Sequence, residues 1–252
     1  MLDAIFWGII QGLTEFLPIS SSGHLVVIPA LLDRPAPDLA TSALLHLGTL
    51  VAVIVYFRSD LLRMAKFDRP ARRLISLLLI GTVPAVVLGL LFEDRIEEIV
   101  DDPVLVSFML IATGVVLLGT TLLRLGDRRT DDIGPFDSLM IGVSQALALI
   151  PGISRSGMTI TAGLVRGMGR REAARFAFLL GIPVIAGAGI LQGVDVVSSG
   201  ATISAEVWVG MVAAGVSGYA AIALLLRLLT RFGLGPFGVY CVVFGSLAAI
   251  AL

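Results

Sequence analysis

Long apolar stretches, separated by clusters of charged residues, divide this chain of 252 residues. Only 15% of the residues are charged and 57% are hydrophobic, whereas a soluble domain carries about 25% charged residues. With a mean hydropathy of +0.98, the chain is too apolar to cover a water-facing surface. The net charge of −1 gives no reason to expect a nucleic acid as a partner. The sequence therefore predicts an all-α polytopic membrane protein with a single membrane domain, 1–252.

Two of the apolar stretches are interrupted in the middle by a polar segment. The stretch 4–32 is broken at 17–24 (LPISSSGH), and the stretch 138–165 is broken at 151–157 (PGISRSG). Non-helical backbone at membrane depth is tolerated only where it is buried in protein or lines a wet cavity, so each stretch is expected to form a re-entrant helical hairpin. The uninterrupted stretches have about the length that crosses a bilayer. They predict six transmembrane helices, at 40–57, 74–92, 103–123, 176–194, 207–226 and 235–252.

The charges of the loops predict which side of the membrane each loop faces. Arginine-rich loops are retained in the cytoplasm. The six spans then alternate in direction across the membrane only if each hairpin returns to the side from which it enters. The first hairpin enters from outside and the second from the cytoplasm. The loops assigned to the cytoplasm are 58–73, 124–136, 166–175 and the segment with Arg227 and Arg231; those assigned to the outside are 93–102, which is acidic, and 195–206, which has no basic residue.

The two broken segments are copies of each other at a fixed offset of 134 residues. Eight of 21 aligned positions are identical, compared with about one or two expected from composition. Each half consists of one hairpin, which does not cross the membrane, and three spans, which do. Because three is an odd number, the two halves have opposite orientations, which predicts inverted repeats, approximately 1–126 and 135–252. Such repeats place a site where the broken helices meet. A duplication that serves only structure is the alternative. The identical pairs are Asp3/Asp137, Gly8/Gly142, Gln11/Gln145, Leu13/Leu147, Ile19/Ile153, Ser20/Ser154, Ser22/Ser156 and Gly23/Gly157.

Ionisable residues inside apolar stretches are costly and are therefore candidates for function. They are Glu15, His24, His46 and Arg155. Gln11 and Glu15 share one helix face, where an amide oxygen and a carboxylate could hold Mg²⁺ or Ca²⁺ together with phosphate oxygens.

Each break also combines serines and a glycine at the expected start of a helix. Short hydroxyls, a permissive glycine and free N–H groups at a helix start suit an anion, and a guanidinium binds phosphate in a bidentate manner. The candidate phosphate-binding residues are Ser20, Ser21, Ser22 and Gly23 in the first break, and Ser154, Arg155, Ser156 and Gly157 in the second.

Each of these residues also has a purely structural interpretation. The serines could only cap helices, and Arg155 could only pair with Glu15. His46 is interpreted as a polar packing contact between helices rather than a catalyst, and Gln145 could tie the second hairpin to the first. The convergence of a carboxylate, a hydroxyl, an imidazole and a guanidinium favours phosphate chemistry.

At these residues the sequence resembles the bacterial undecaprenyl-diphosphate phosphatases, also called bacitracin-resistance proteins. The segment 11–24 (QGLTEFLPISSSGH) is similar to the first family signature and 151–157 to the second. The resemblance implies conversion of the C55 isoprenyl diphosphate to its monophosphate, which recycles the lipid carrier for peptidoglycan synthesis and confers bacitracin resistance. It also implies a divalent cation and a site open to the outer face of the bacterial cytoplasmic membrane.

The resemblance assigns roles to individual residues. Glu15 and Gln11 become the acidic/amide pair and the metal ligands, Ser21 and His24 the nucleophile or base, and Arg155 the phosphate clamp. The first member of the pair is often Glu in this family, and Gln11 cannot act as a base. Either Ser21 attacks phosphorus while His24 accepts its proton, or His24 or Glu15 activates water.

The expected partners are a polyprenyl diphosphate, membrane lipids and, in a homodimer, a second copy of the chain. Because inverted repeats with broken helices are typical of secondary transporters, a lipid-phosphate flippase or small-anion transporter is the alternative function. A second enzymatic alternative is the phosphatidic-acid-phosphatase superfamily. It is disfavoured, because that superfamily needs a nucleophilic histidine further along the chain and no histidine follows His46.

Overall fold

The computed structural model describes residues 1–92, 98–124, 126–198 and 204–252. Within these ranges the regular structure is helical, apart from an isolated parallel bridge between Arg128 and Met168, so the predicted all-α class is confirmed. The helices are α1 (Leu2–Phe16), α2 (Ser21–Leu31), α3 (Leu39–Tyr56), α4 (Arg58–Met64), α5 (Arg69–Leu91), α6 (Pro103–Gly119), α7 (Pro135–Leu147), α8 (Arg155–Val165), α9 (Arg170–Ser198), α10 (Ala205–Phe232) and α11 (Gly235–Ala251). Short 3₁₀ turns occupy Thr120–Leu122 and Thr130–Asp132.

Several helices are long and apolar enough to cross a membrane. Four meet this condition singly, and α3 with α4 makes a fifth if the pair, bent by 72°, counts as one span. Large apolar side chains such as Leu90 (65% exposed) and Val216 (69% exposed) face outward, as lipid contact requires. The chain is therefore a multi-pass membrane protein. The remaining stretch forms α11, whose 17 residues lie at the short end of the spanning range, so the number six stays a prediction.

Both apolar stretches that the sequence marks as broken are pairs of helices joined by a non-helical segment. Leu17 is extended (φ −64°, ψ 141°) because the following proline disfavours helical backbone. Ser20 then caps α2, its Oγ accepting a hydrogen bond from the backbone N–H of Gly23 at 3.2 Å. Ser154 caps α8 in the same way, with Gly157 N–H at 3.1 Å. Both breaks therefore end in the same serine cap, at positions 134 residues apart.

An ion pair joins the start and the end of each helix pair. Asp3, in the first turn of α1, contacts Arg34, which follows α2, at 3.2 Å. Asp137, in the first turn of α7, contacts Arg166, which follows α8, at 2.5 Å. Each helix pair therefore begins and ends at the same end of the bundle.

The second of these ion pairs is the more buried, and its carboxylate has additional partners. Asp137 also accepts hydrogen bonds from Arg128 and from the backbone N–H of Gly134, both at 2.9 Å. Burial opposes its ionisation, but these hydrogen bonds and the nearby guanidinium groups outweigh it and lower the pKa of Asp137 to about 2. Asp137 is therefore a strongly ionised anchor at the base of the second helix pair.

The Arg-rich loops meet at one end of the molecule. The chain enters and leaves the second helix pair at that end, and it enters and leaves the first helix pair at the opposite end. Helix α10 has 28 residues and extends for about 42 Å, so its termini mark the two ends. The N-terminal amine, at the base of the first pair, contacts Glu206 at the start of α10. At the far end Arg170 binds Thr230 O, and the loops join through Arg175–Asp60, Arg73–Ile133 O, Thr130–Glu172 and Arg128–Arg166 O. The acidic residues 93–97 of the expected outer loop, like 199–203, lie outside the described residues.

Two glycines let the first helix of each pair approach a neighbouring helix closely. A Cβ at Gly8 in α1 would collide with the carbonyl of Gly210 in α10, and a Cβ at Gly142 in α7 would collide with the carbonyl of Gly81 in α5. Small residues of this kind provide close helix packing in lipid. The first helix of each pair is thereby packed closely on a long apolar helix, α1 on α10 and α7 on α5.

Candidate active site

The two breaks contact each other through backbone and hydroxyl groups. Ser156 Oγ donates to the carbonyl of Leu17 at 3.2 Å, and the N–H of Gly152 donates to Ser22 Oγ at 3.4 Å. Thr113 of α6 supports the second break, because its hydroxyl accepts from Ser154 N–H at 3.1 Å and donates to Gly152 O at 2.9 Å. The polar groups of one break thereby satisfy those of the other.

Glu15 lies at the centre of this junction. Its Oε2 accepts hydrogen bonds from Ser21 Oγ at 2.5 Å and from Gln11 Nε2 at 3.0 Å, and its Oε1 pairs with Arg155 Nη2. The Glu15 side chain is only 3% exposed, whereas that of Arg155 is 23% exposed. A buried carboxylate is retained only when it is paired and hydrogen-bonded, and three donors from both breaks meet this requirement. Arg155 thus pairs with Glu15, as its structural interpretation allowed, and its role as a phosphate clamp stays a prediction.

A cavity of about 190 Å³ opens beside Glu15. This volume far exceeds the 10–15 Å³ that admits one water, so it can hold a phosphate group. Its lining contains apolar side chains as well as hydroxyl, amide, imidazole and charged groups. The polar lining consists of Thr14, Glu15, Ser20, Ser21, Ser22, His46, Gln145, Ser154 and Arg155; the apolar lining consists of Ala148, Leu149, Ile153, Val184, Ile185 and Ala188.

Gln11, Gly23, Ser156 and Gly157 are not among the residues that line the cavity. Gln11 is fully buried one helical turn before Glu15, and Gly23 and Gly157 supply the backbone N–H groups of the two serine caps. Ser156 is buried, with its hydroxyl on Leu17 O.

His24 faces α11 rather than the cavity. Its Nδ1 donates to the carbonyl of Ser20 at 2.7 Å, and its Nε2 lies 2.8 Å from Tyr240 Oη. The ring stacks on Phe244 with centroids 4.8 Å apart and on Tyr240 with centroids 5.7 Å apart. Both ring nitrogens are therefore engaged, and a direct catalytic role of His24 stays a prediction.

Two residues that line the cavity had a structural interpretation from the sequence: His46 as a polar packing contact, and Gln145 as a possible tie between the two hairpins. His46 of α3 donates from Nδ1 to Ser42 O at 2.9 Å, and the rest of its ring reaches the cavity. Gln145 of α7 lies in the opposite repeat. Its identity with Gln11 at the offset of 134 was the signal that could have identified it.

A second, larger cavity of about 830 Å³ lies at the end with the Arg-rich loops. Its walls include Asp60, Arg63, Glu172 and Arg175, which pair with one another. Burial opposes the ionisation of Glu172, but hydrogen bonds from Thr130 and the charge of Arg175 lower its pKa. None of the candidate site residues lines this cavity.

The residues at Glu15 provide a limited set of oxygen donors for a divalent cation. Across the described ranges, no cluster of three His, Cys, Asp or Glu side chains could hold a metal. Beside Glu15, however, the Oε1 atom of Gln11 is buried and has no hydrogen-bond partner among those residues. Mg²⁺ is commonly held by one or two carboxylates together with substrate phosphates. A hard cation fits this pair only if phosphate oxygens complete its coordination.

The fold and the site define a multi-pass helical membrane protein with a buried polar cavity formed by two helix breaks. Residues 4–247 match the family model described as "Bacitracin resistance protein BacA", and the chain belongs to this family. It is 42% identical to a protein named Undecaprenyl-diphosphatase from Rubrobacter xylanophilus, covering 100% of this chain and 98% of the relative. It is also 42% identical to the protein of that name from Geobacter sulfurreducens (98% and 96% covered) and to Undecaprenyl-diphosphatase 4 from Bacillus cereus (95% and 92% covered).

Proposed function

We propose that this chain is a membrane phosphatase that hydrolyses undecaprenyl diphosphate to undecaprenyl phosphate and phosphate. This reaction would recycle the lipid carrier for peptidoglycan synthesis and confer bacitracin resistance. The observation that carries the proposal is a serine hydroxyl, Ser21, held by a buried carboxylate, Glu15, opposite a guanidinium, Arg155, in one cavity. The names of the relatives support the same reaction.

In the proposed mechanism Ser21 is the nucleophile and Glu15 is its base. Ser21 Oγ already donates its proton toward Glu15 Oε2 at 2.5 Å. As Oγ bonds to the terminal phosphorus, Glu15 takes the proton, and the bond from phosphorus to the bridging oxygen breaks with release of undecaprenyl phosphate. Water then attacks the phosphorus of the phosphoserine and the bond from phosphorus to Ser21 Oγ breaks. Glu15 returns its proton to Oγ, and both protons of the water leave with the inorganic phosphate, so that Ser21 and Glu15 are regenerated. The alternative is direct attack by a water that Glu15 activates.

Arg155 is proposed to stabilise the phosphate during transfer. Its guanidinium lines the cavity and pairs with Glu15, so it can offer its remaining N–H donors to phosphate oxygens. The first turns of α2 and α8 also begin at the cavity, where helix N-termini favour an anion. Ser20, Ser22 and Ser154 add hydroxyls to the same wall.

His24 is proposed to position the nucleophile. It holds the carbonyl of Ser20, a residue whose φ of +68° is strained for a side chain other than glycine. Ser21 follows directly, so the imidazole supports the turn that directs the Ser21 hydroxyl toward Glu15. The base role then belongs to Glu15.

A divalent cation, Mg²⁺ or Ca²⁺, is proposed to bind at Glu15 and Gln11. The unpartnered Oε1 of Gln11 beside the Glu15 carboxylate supports this proposal. When bound, such an ion would neutralise negative charge on the phosphates. The residues of the chain would orient the substrate and move the proton as described.

We propose six transmembrane helices and two re-entrant hairpins in inverted repeats, approximately 1–126 and 135–252. The ion pairs Asp3–Arg34 and Asp137–Arg166, at opposite ends of the bundle, support two hairpins that enter from opposite sides. The clustering of Arg-rich loops at one end supports placing that end in the cytoplasm.

The cavity is proposed to open toward the outer face of the bacterial cytoplasmic membrane. Its apolar wall on α9 includes Val184, Ile185 and Ala188, and the exposed Leu191 lies one turn further from the Arg-rich end. This apolar strip would guide the polyprenyl chain from the outer leaflet to the cavity.

Purified protein in detergent tests the proposed function. We expect phosphate release from a polyprenyl diphosphate, decreased by a chelator and lost in the Glu15→Gln variant. If the intact diphosphate instead crosses the bilayer of proteoliposomes without phosphate release, the chain is a flippase and the phosphatase proposal is wrong.

A further inference from the structure

Gln145 is a buried amide without a partner in the wall of the cavity. Its side chain is 1% exposed, and neither Nε2 nor Oε1 has a hydrogen-bond partner among the described residues. Buried amide groups are almost always hydrogen-bonded, and an exception requires an explanation such as a bound ligand or water. Glu15, Ser21 and Arg155 line the same cavity. The free amide therefore faces the site at which phosphate is proposed to react.

The repeat explains why this amide is free. Gln145 aligns with Gln11 at the offset of 134, and Gln11 uses its Nε2 to bind Glu15 four residues later. The residue four positions after Gln145 is Leu149, which aligns with Glu15 and lines the cavity. The second repeat thus keeps the amide but replaces its carboxylate partner with an apolar side chain.

The surroundings of Gln145 select an anionic, oxygen-rich ligand. The cavity contains serine hydroxyls and the guanidinium of Arg155, and its volume exceeds that of one water many times. An amide offers two N–H donors, which suit the oxygens of a phosphate. We propose that Gln145 binds the diphosphate group of the lipid substrate directly, through Nε2. This inference rests on the proposed phosphatase function and adds a substrate-contacting residue from the second repeat.

Removing the amide should weaken binding without weakening the fold. In Gln145→Leu we expect kcat/KM for phosphate release to fall about 10- to 150-fold, the effect of one hydrogen bond to a charged group. Because the amide has no partner in the free protein, the Tm without ligand should stay the same or rise. The matched variant Gln11→Leu loses the hydrogen bond to Glu15, and its Tm should fall.

Binding without turnover provides a second measurement. A polyprenyl methylenediphosphonate cannot be hydrolysed at the bridge, and it should raise the Tm of the wild-type protein but not that of Gln145→Leu. A decreased Tm of Gln145→Leu with unchanged kcat/KM and an unchanged response to the probe would show that Gln145 holds only a structural water, and would overturn the proposal. If the wild-type protein releases no phosphate yet needs Gln145 for stabilisation by the probe, the hydrolysis proposal fails and this inference stands. If wild-type protein neither releases phosphate nor responds to the probe, both are wrong.

Discussion

The Ser21→Ala variant distinguishes the two routes of phosphate release. If Ser21 is the nucleophile, the change removes the attacking oxygen, and turnover should fall on the order of 10⁴- to 10⁶-fold. If water attacks, Ser21 contributes only hydrogen bonds. Its hydroxyl bonds the charged Glu15, and one such bond to a charged group is worth about 1.5–3 kcal/mol, or roughly 10- to 150-fold. The expected losses of turnover on the two routes therefore differ by at least about 70-fold, and the geometry favours the larger loss.

A rapid-quench experiment identifies the intermediate directly. Substrate labelled in its terminal phosphate should leave label on Ser21 of the wild-type protein within one turnover. Ser22→Ala is the matched control, because within the described part of the chain the Ser22 hydroxyl contacts Gly152 N–H and Ser20 Oγ and not Glu15. We expect the turnover of Ser22→Ala to fall by no more than about 150-fold, the effect of losing one hydrogen bond to a charged phosphate. Retention of more than about 0.5% of turnover in Ser21→Ala, with no labelled serine, would refute nucleophilic attack by Ser21.

Three further changes test the clamp, the second hairpin and the topology. Arg155→Lys keeps the charge but loses the bidentate geometry, so turnover should fall sharply in a folded protein; near-normal turnover would make Arg155 purely structural. Asp137→Asn should decrease the free energy of unfolding by about 1–2 kcal/mol after solvent screening, whereas Asp3→Asn, more exposed, should have no measurable effect. Because the pKa of Asp137 is lowered to about 2, the difference should be constant above pH 4 and disappear as the pH falls through 2. In a background without the native cysteine, a cysteine that replaces Asp101 should react with an impermeant thiol reagent on intact cells, and a cysteine that replaces Arg69 should not. The reverse result would reject the inverted arrangement.

The helical architecture could be predicted because lipid leaves few choices. Apolar stretches of about 20 residues must satisfy their own backbone, which predicts helices over 74–92, 103–123, 176–194 and 207–226. The structure has α5, α6, α9 and α10 there. The breaks were visible because Pro18 and the serine caps interrupt the helix locally. The 72° bend between α3 and α4 was not predicted, because it joins an apolar helix to a charged one without a proline or glycine at the junction.

The site was predictable in composition but not in the direction of its side chains. Buried charges need partners, so the pairing of Glu15 with Arg155 followed from their cost in lipid. Sequence spacing placed His24 near Ser21 but could not reveal that its ring faces Tyr240, 216 residues away. In the same way, His46 and Gln145 reach the cavity through contacts between helices that are distant in the chain. Direction depends on tertiary packing, which one sequence without an alignment does not specify.

The sequence repeat also explains how two similar helix pairs can form an asymmetric site. Ser21 and Arg155 are separated by 134 residues, so they occupy the same position, directly after the capping serine of each break. Both side chains bind the same carboxylate, Glu15, one on each oxygen. One difference between the repeats at this equivalent position, serine in the first and arginine in the second, therefore places a nucleophile at one carboxylate oxygen of Glu15 and a cation at the other. A transporter with two equivalent gates has no need for this difference. Transfer of a phosphoryl group, in contrast, requires an attacking oxygen in line with the leaving oxygen and a different group that stabilises charge on the remaining phosphate oxygens.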